Sequence, residues 1–299
     1  SARAMPSMGL GYAALRRANE KIIYVSMPGY GMSGPYRDRV AFGPTVEPLS
    51  GLTQMLGYSP EEPRNSAMAL MDPIAATQAA AAVTDALMQR AETGEGCLIE
   101  MSLHEGGVTY SAPWLVDEQL GQRPQCMGNR HPAMAPHGIY PSKGEDCWVA
   151  IACKNDEQWR ALCNLIGHPE KSNLALSERI EQHDEIDDMI CAWSLIRTNQ
   201  EATALLQDYT IAAGPVNNAA DITEDQQVRA RQFFVPFERF NTPIPGHSIQ
   251  MGGIQRNTWT RCPDLGEHNR EVLRAWLNYE DDVIRALERD AVIFSAPPT

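Results

Sequence analysis

Apolar residues in the first third of the chain form two short runs on either side of one long alanine-rich segment. The run 22–25 has the continuous apolar character of a buried strand. The alanine-rich segment has the composition of a helix that starts at Asp72 and ends at residues 94–96, and the apolar run 98–103 follows it directly. Because strand, loop, helix and strand succeed one another, the sequence predicts a parallel α/β sheet.

Periodic apolar positions resume after residues 121–137, whose Pro, Gly, Gln and Asn content is typical of a connector. A strand over 148–153 and an amphipathic helix over 186–196 predict a second, smaller α/β domain. Thr198 and Glu201 have the spacing of a capping box and predict a further helix start. The predicted organisation is a large domain at 1–120, a linker at 121–137, a small α/β domain at 138–232, a return linker at 233–257 and a C-terminal segment at 258–299.

Composition narrows the class of protein. A chain of 299 residues with 43% hydrophobic residues can bury a substantial core. No run approaches the roughly 18 uninterrupted apolar residues of a membrane-spanning helix, and no secretory signal pattern precedes the first motif, so we expect a cytoplasmic protein without a membrane partner. The net charge of −13, from 25 Lys plus Arg against 38 Asp plus Glu, argues against nucleic acid as a partner.

No cysteine or histidine spacing indicates a redox or metal centre. The seven cysteines include no C-x-x-C pair, so we interpret them as reduced and mostly structural thiols, and nothing identifies one as a catalytic nucleophile. The histidines lack metal-ligand spacing, and no metal is expected. The cysteines are Cys97, Cys126, Cys147, Cys153, Cys163, Cys191 and Cys262.

Asp72 stands at the predicted start of the alanine-rich helix, directly before Pro73. Proline suits the first helical position because that amide has no acceptor within the helix, so Asp72 is predicted to be the N-cap. An aspartate in this place is either a simple cap, which contributes about 1 kcal/mol, or a nucleophile that amides and the helix dipole keep ionised and oriented. The spacing alone leaves both interpretations open.

Residues 29–34 match the spacing G-x-G-x-x-G after a predicted strand, which is the fingerprint of a dinucleotide-binding loop. Pro35 and the charged residues after it do not open a helix, so no helix dipole would face a pyrophosphate. The acidic residue expected after a second strand is also missing. We therefore interpret this segment as a tight glycine turn and not as a dinucleotide site.

Short segments along nearly the whole chain resemble one known family. They are Val25 to Pro35, Ala41 to Leu52, Met71 to Pro73, Thr93 to Gly96, Gly128 to Pro132, Ala135 to Gly138, Val149 to Ala152, Gly214 to Val216 and Leu265 to Asn269. In this order they are similar to the class III (CaiB/BaiF-type) CoA-transferases, which include formyl-CoA and carnitine CoA-transferases.

The resemblance implies that Asp72 forms a covalent intermediate. In that chemistry a carboxylate attacks an acyl-CoA thioester and gives a mixed anhydride and free CoA thiolate, which returns to form an aspartyl-CoA thioester and releases the donor acid. An acceptor carboxylate then forms a second anhydride, and the thiolate opens it to give the new acyl-CoA. One covalent carrier thus divides a difficult exchange into easier steps.

The same resemblance implies contacts to coenzyme A, which enters as the acyl-CoA substrate together with a small carboxylic acid. Gly29, Tyr30 and Gly31 would form a loop whose amides approach the thioester carbonyl as oxyanion donors. Arg37 and Arg39 are close to this loop in the sequence, and their position, not the resemblance, makes them candidates to bind phosphate or a substrate carboxylate through bidentate hydrogen bonds. More often, such arginines simply lie on the surface.

Three further residues in the motif segments have open roles. Glu47 is interpreted either as a solvated loop glutamate or as a pocket residue that orients substrate or CoA. His131 and His137 flank the connector and are interpreted either as structural or as close to the active site.

The fold that the resemblance implies is a Rossmann-like parallel sheet domain and a smaller α/β domain, with a C-terminal segment that packs on the large domain. Two chains would interlock as a homodimer. Family members carry further residues before the position of Ser1, so we expect the sequence to be an N-terminally truncated fragment that lacks the first strands and several CoA contacts.

Two other functions stay open at the level of the sequence. The α-methylacyl-CoA racemases share the implied fold, but they move an α-proton and need two acid/base groups. Their histidine–aspartate pair corresponds to Phe42 and Gly43, which carry no protons, and this favours transfer. Formyl-CoA transferases have a tyrosine and an acidic residue at the positions of Phe42 and Gly43. The glycine-only flap of those enzymes is also not found in this sequence, so specificity for oxalate or formate is not supported. A non-catalytic CoA-binding partner is the remaining hypothesis.

Overall fold

The two apolar runs around the alanine-rich segment form the parallel pair that the sequence predicts. Strand β1 (Tyr24–Ser26) pairs with β2 (Leu98–Glu100), and Tyr24 lies opposite Leu98. A parallel pair needs a crossover connection, and the alanine-rich helix is part of it. The predicted α/β arrangement is therefore confirmed. The computed structural model of the chain describes residues 1–237, 242–254 and 262–295.

Two compact units divide the chain, at residues 1–216 and 217–299. The domain boundaries proposed from the sequence stay predictions, and the one between 257 and 258 lies outside the described residues. No helix of the described residues combines the length and the apolarity needed to cross a membrane. The helices of the first unit are α1 (Ala4–Ser7), α2 (Tyr12–Ala18), α3 (Gly43–Val46), α4 (Leu52–Met55), α5 (Met71–Thr93), α6 (Leu103–Tyr110), α7 (Ala112–Gln119), α8 (Asp156–Ile166), α9 (Leu176–Glu181), α10 (His183–Ser194) and α11 (Asn199–Asp208), with 3-10 turns at Pro48–Ser50 and Pro169–Lys171.

Helix α5 begins earlier than the sequence predicts. Leu70 is the N-cap residue and already has helical angles, so the prediction that Asp72 is the N-cap is wrong. The reason is that the N–H of Asp72 donates to the carbonyl of Ala69 at 2.9 Å, which draws the preceding residues into the helix. Pro73 is still among the first four residues, whose amides have no acceptor within a helix. The predicted end is confirmed, because Gly94 closes the helix at φ +77°.

A small apolar core fixes the start of α5 against α3, α4 and α6. Val46, Leu52, Met71 and Ile74 are buried together. Helix α6 approaches closely because Gly107 lacks a side chain: a Cβ there would lie 2.5 Å from the sulfur of Met71. The position of the first turn of α5 is therefore determined by packing from several short helices.

The second sheet and its helices form a larger core. Strands β3 (His137–Pro141), β4 (Trp148–Ala152) and β5 (Ala212–Pro215) are antiparallel in the order β3-β4-β5. The predicted strand at 148–153 is thus confirmed. The buried residues of this core include Val149, Ile151, Trp159, Leu162, Ile186, Ile190 and Leu206.

The helix starts of this region agree with capping chemistry. The capping box before α11 is confirmed, because the N–H of Glu201 donates to Oγ1 of Thr198 at 3.2 Å and the N–H of Thr198 donates to the Glu201 carboxylate at 2.9 Å. Hydrogen bonding from Thr198, first from its backbone N–H and then from its side chain, holds the pKa of Glu201 below its usual value. The predicted amphipathic helix 186–196 begins instead at His183, where Asp184 and Glu185 suit the positive end of α10.

The second unit contains a short antiparallel pair and four helices among its described residues. Its two C-terminal helices are joined by ion pairs, since Arg270 binds Glu288 and Arg274 binds Asp281. Ile284 is buried. The elements are α12 (Ala219–Glu224), α13 (Gln226–Ala230), β6 (Phe234–Phe237), β7 (Thr242–Pro245), α14 (Asn269–Leu277) and α15 (Asp281–Arg289).

Two adjacent leucines of α11 test the core of the first unit. Leu206 is 0% exposed and Leu205 is 37% exposed. We expect Leu206→Ala to lower the free energy of unfolding by about 2–5 kcal/mol, because it leaves a cavity in a packed core. Leu205→Ala is the matched control and should cost clearly less in the same denaturant titration. Equal losses in the two variants would contradict the assigned orientation of α11.

Candidate active site

A cavity of about 480 Å³ opens beside the first turn of α5. Asp72 lies in its wall and is exposed. The other lining residues come from 1–3, from 27–29 directly after β1, from 37–43 and from Leu103. The short parallel pair and the loop before α3 therefore bring together residues that are far apart in the sequence.

The carboxylate of Asp72 is unpaired within the part of the chain that the structure describes. Among the described residues, no donor hydrogen-bonds to either oxygen and no cation forms an ion pair with them. Asp72 is the second residue of α5, so its charge lies near the positive end of a helix of 23 residues. An exposed carboxylate without a partner is free to act as a nucleophile toward a molecule in the cavity.

Gly43, the first residue of α3, packs directly against this carboxylate. A Cβ at position 43 would lie 2.5 Å from Oδ2 of Asp72 and 3.1 Å from Cβ of Ala69. Any side chain at this position would displace the Asp72 carboxylate, which is the movable end of a side chain. Phe42 is 70% exposed and also lines the cavity. The two residues that the sequence comparison with racemases singled out therefore lie at the site.

The glycine loop after β1 is held by close contacts. Gly29 lines the cavity and has no room for a side chain, since a Cβ would lie 2.2 Å from Cβ of Ala41. Gly31 has φ +85°, and the next amide, of Met32, donates to Glu100 at 2.5 Å. Tyr30 does not line the cavity and packs its ring 5.7 Å from that of Tyr36.

No helix follows this loop until α3, which agrees with the exclusion of a dinucleotide site. Of the three residues proposed from the loop, only Gly29 contributes to the cavity wall. Their predicted contacts with CoA stay predictions.

Arg37 and Arg39 both line the cavity, and Asp38 between them was not predicted as a site residue. Nε of Arg3 donates to Asp38 at 2.5 Å, and this hydrogen bond holds the pKa of Asp38 below its usual value. Nε of Arg37 lies 3.9 Å from the same carboxylate, while the Arg39 guanidinium stacks 3.6 Å from the centre of the Tyr36 ring. The alternating charges at 37–39 are the sequence signal that could have identified Asp38.

Glu47 is not the solvated loop residue that one interpretation expected, because it is 0% exposed. Its carboxylate accepts hydrogen bonds from the Ser66 amide at 2.8 Å and the Ser66 hydroxyl at 2.6 Å. Glu47 does not line the cavity beside Asp72. Its predicted contact with substrate or CoA stays a prediction.

The two connector histidines are hydrogen-bonded within the connector. Nδ1 of His137 donates to the carbonyl of Asn129 at 2.6 Å, and Nδ1 of His131 accepts from the amide of Ala133 at 3.0 Å. Their ring centres are 5.4 Å apart. Neither histidine lines the cavity beside Asp72, although His137 lines a second cavity of about 610 Å³.

This second cavity contains a polar cluster that the sequence did not indicate. The hydroxyl of Tyr140 donates to Asp187 at 2.9 Å, and Arg130 approaches the other oxygen of Asp187 at 3.2 Å. Burial first, then the negative charge of Asp187, raises the pKa of Tyr140. The partners are up to 57 residues apart, so no local pattern could reveal them.

All seven cysteines are free thiols. Cys153 and Cys163 are buried in the larger core, and burial raises the pKa of each thiol to about 12. Thiols that stay protonated at neutral pH are poor nucleophiles, which agrees with a structural role for these two residues.

The comparison with known proteins assigns the family. The model of the family described as CoA-transferase family III matches residues 1–269, and the chain belongs to this family. The succinyl-CoA–D-citramalate CoA-transferase of Chloroflexus aurantiacus is 30% identical over 300 residues, covering 95% of this chain and 73% of that protein. The succinate–glutarate CoA-transferase of Agrobacterium fabrum is 29% identical over 275 residues, with coverages of 89% and 68%.

A solved structure supports the same assignment. The crystal structure of a CaiB/BaiF family protein from Brucella suis matches with a TM-score of 0.80 and 26% identity, covering 90% of this chain and 71% of that chain. The predicted family, its α/β fold and its class of enzyme, the CoA-transferases, are therefore confirmed.

Gly43 offers a test of the geometry around Asp72. We expect Gly43→Val to lower the rate of CoA transfer by about 10- to 100-fold, because displacement of a reacting group by about 1 Å has this effect. The control is Gly252→Ala, since a Cβ at Gly252 would have no atom of the described residues within 4 Å. Rates are compared per folded molecule. Full activity in Gly43→Val would contradict the close packing on Asp72.

Proposed function

We propose that the protein moves CoA from an acyl-CoA donor to a free carboxylic acid and that Asp72 is the covalent carrier. One observation carries the proposal: an exposed, unpaired carboxylate lies at the start of α5 in the wall of a cavity. Membership of CoA-transferase family III supports the transfer of CoA.

Each proposed step exchanges one bond at a carbonyl carbon. An Asp72 oxygen attacks the thioester carbon, and CoA leaves as its thiolate. The thiolate then attacks the aspartyl carbonyl of the anhydride, the donor acid leaves as a carboxylate, and an aspartyl-CoA thioester remains. An acceptor carboxylate displaces the thiolate from Asp72, and the thiolate finally attacks the new acyl carbonyl and regenerates the Asp72 carboxylate.

No step in this sequence transfers a proton. The nucleophiles are carboxylates and a thiolate, and the leaving groups are the same species. A site for this chemistry needs no histidine or other general base, and none of the histidines lines the cavity in the described part of the chain. A racemase would need two proton carriers there.

Backbone amides supply candidate donors for the developing oxyanion. Within the described residues, the N–H groups of Gly29, Tyr30 and Gly31 make no hydrogen bond. Gly29 is in the cavity wall, which supports its amide as a donor to the thioester oxygen.

The arginines of the cavity wall fit the anionic character of CoA. The side chains that line the cavity include three arginines and two aspartates, which gives an excess of one positive charge. They are Arg3, Arg37, Arg39, Asp38 and Asp72. Arg39 forms no ion pair with any described carboxylate and is available for a phosphate or a substrate carboxylate.

The names of relatives indicate which acids to test as donor and acceptor. Two relatives are named for succinyl-CoA or succinate, so succinyl-CoA is the first donor to test, against a panel of free acids. Assembly as an interlocked homodimer, which the resemblance implies, and the cytoplasmic location expected from the sequence stay proposals.

Asp72→Asn tests the covalent carrier in the complete gene product. Incubation of the unmodified protein with acyl-CoA is expected to give a covalent adduct on the peptide that contains Asp72, detected by mass spectrometry. Asp72→Asn should give no adduct and lower the transfer rate by about 10³-fold or more. Asp85→Asn is the control, because Asp85 is exposed on the same helix and outside the cavity.

Unchanged turnover in Asp72→Asn would refute the assignment. Tight CoA binding by the unmodified protein without any adduct or turnover would favour the non-catalytic CoA-binding hypothesis instead.

The arginine pair generates a separate prediction about binding. We expect Arg37→Gln and Arg39→Gln each to raise the KM for acyl-CoA by about 10-fold, because each removes a charge-assisted hydrogen bond to an anion. The effect should shrink at high salt, which screens exposed charges. Arg64→Gln is the control, since Arg64 is paired with Glu62 and does not line the cavity. Equal KM values in all three variants would contradict the proposed contacts.

A further inference from the structure

Glu47 is a buried carboxylate that the proposed steps do not use. It is 0% exposed, and no lysine, arginine or histidine of the described residues forms an ion pair with it. An uncompensated charge in such a place is unfavourable unless strong hydrogen bonds replace those of water. The hydrogen bonds around Glu47 must therefore replace the solvation that its carboxylate loses on burial.

Ser66 supplies both strong hydrogen bonds to Glu47. Its amide donates to Oε1 at 2.8 Å, and its hydroxyl donates to Oε2 at 2.6 Å. The hydroxyl also lies 2.9 Å from the carbonyl of Met68, but its single proton goes to the closer and charged acceptor. Thr53 is 3.3 Å from Oε1 and only 2.7 Å from Oδ1 of Asn65, so its proton goes to Asn65.

The helix α3 lies between Glu47 and the proposed nucleophile. Its first residue, Gly43, contacts the Asp72 carboxylate, and the amide of Glu47 donates back to the Gly43 carbonyl at 3.1 Å. Ser66 precedes Asp72 by only six residues. The same segment is tied to α3 a second time, because Nδ2 of Asn65 donates to the carbonyl of Pro44 at 3.1 Å.

We infer that Glu47 is a positioning residue: by holding Ser66 at the far end of α3, it fixes the gap between Gly43 and the Asp72 carboxylate. This inference rests on the proposed function of Asp72. Glu47 would act through the backbone of 65–72 and would not touch the substrate. The buried Val46 and Met71 complete the contact between the two elements.

The hydrogen-bond chemistry distinguishes two substitutions. In Glu47→Gln the amide oxygen can still accept from the Ser66 N–H, and the amide nitrogen can donate to the Ser66 hydroxyl, which then donates to Met68. This variant keeps the tie without the negative charge. In Glu47→Leu the volume is similar, but the Ser66 amide loses its acceptor, so α3 and the segment 65–72 are no longer linked through this residue.

The decisive experiment measures single-turnover formation of the Asp72 adduct at saturating acyl-CoA, in the complete gene product and per folded molecule. We expect Glu47→Leu to lower this rate by about 10- to 100-fold, because the nucleophile is misplaced, with little change in the Kd for CoA. Glu47→Gln should stay within about 3-fold of the unmodified protein because it conserves the hydrogen bonds.

Ser194→Ala is the control, because the hydroxyl of Ser194 donates to the Pro141 carbonyl at 2.7 Å in the other core. It should lower stability and leave the adduct rate unchanged.

Three results would overturn the inference. An unchanged adduct rate in Glu47→Leu would show that Glu47 acts on stability alone. An equal loss in Glu47→Gln and Glu47→Leu would show that charge matters and the hydrogen-bonded tie does not. Hydrogen exchange at the amides of 66–72 can be measured without the transfer reaction and should be faster in Glu47→Leu than in Glu47→Gln. Equal exchange rates in the two variants would refute the hydrogen-bonded link between Glu47 and Ser66. Absence of the adduct in the unmodified protein counts against the proposed function. In that case the hydrogen-exchange comparison still tests the link between Glu47 and Ser66.

Discussion

The contact between the backbone of Gly43 and the carboxylate of Asp72 is the constraint on which the site depends. Because position 43 carries no side chain, α3 comes within van der Waals distance of the carboxylate, which lies in the cavity wall. The buried Val46 and Met71 hold the two helices in this relation. An exposed anion at the first turn of a long helix avoids most of the desolvation cost of burial and gains from the helix dipole.

Local charge explains how a protein with a net charge of −13 can attract an anionic ligand. The cavity wall has more arginines than aspartates, and fields inside a cleft depend on nearby groups more than on the total charge. Asp38 offsets part of this positive charge, since it binds Arg3 and also lies near Arg37. Arg39 stacks on an aromatic ring and keeps its hydrogen-bond donors for other partners.

Features that depend on neighbouring residues could be predicted from the sequence, and features that depend on the fold could not. The end of α5 was predictable because Gly94 adopts a left-handed conformation that few other residues tolerate. Its start was not predictable from the sequence, because the Ala69 carbonyl, and not a capping side chain, accepts the hydrogen bond of the Asp72 amide. The burial of Glu47 was not predictable, because its partner Ser66 is 19 residues away and is brought close only by packing.

The carboxylates around the cavity also indicate which chemistry suits the site. Proton abstraction and return need groups that take up and release a proton, but the hydrogen bond from Arg3 lowers the pKa of Asp38, so its carboxylate is a weaker base and takes up a proton less readily. Phe42 and Gly43 carry no proton, and both lie at the cavity. What the described wall offers is a free carboxylate, cations and unused backbone amides. Such a set matches acyl exchange between carboxylates and a thiolate, because every species in that exchange is already ionised.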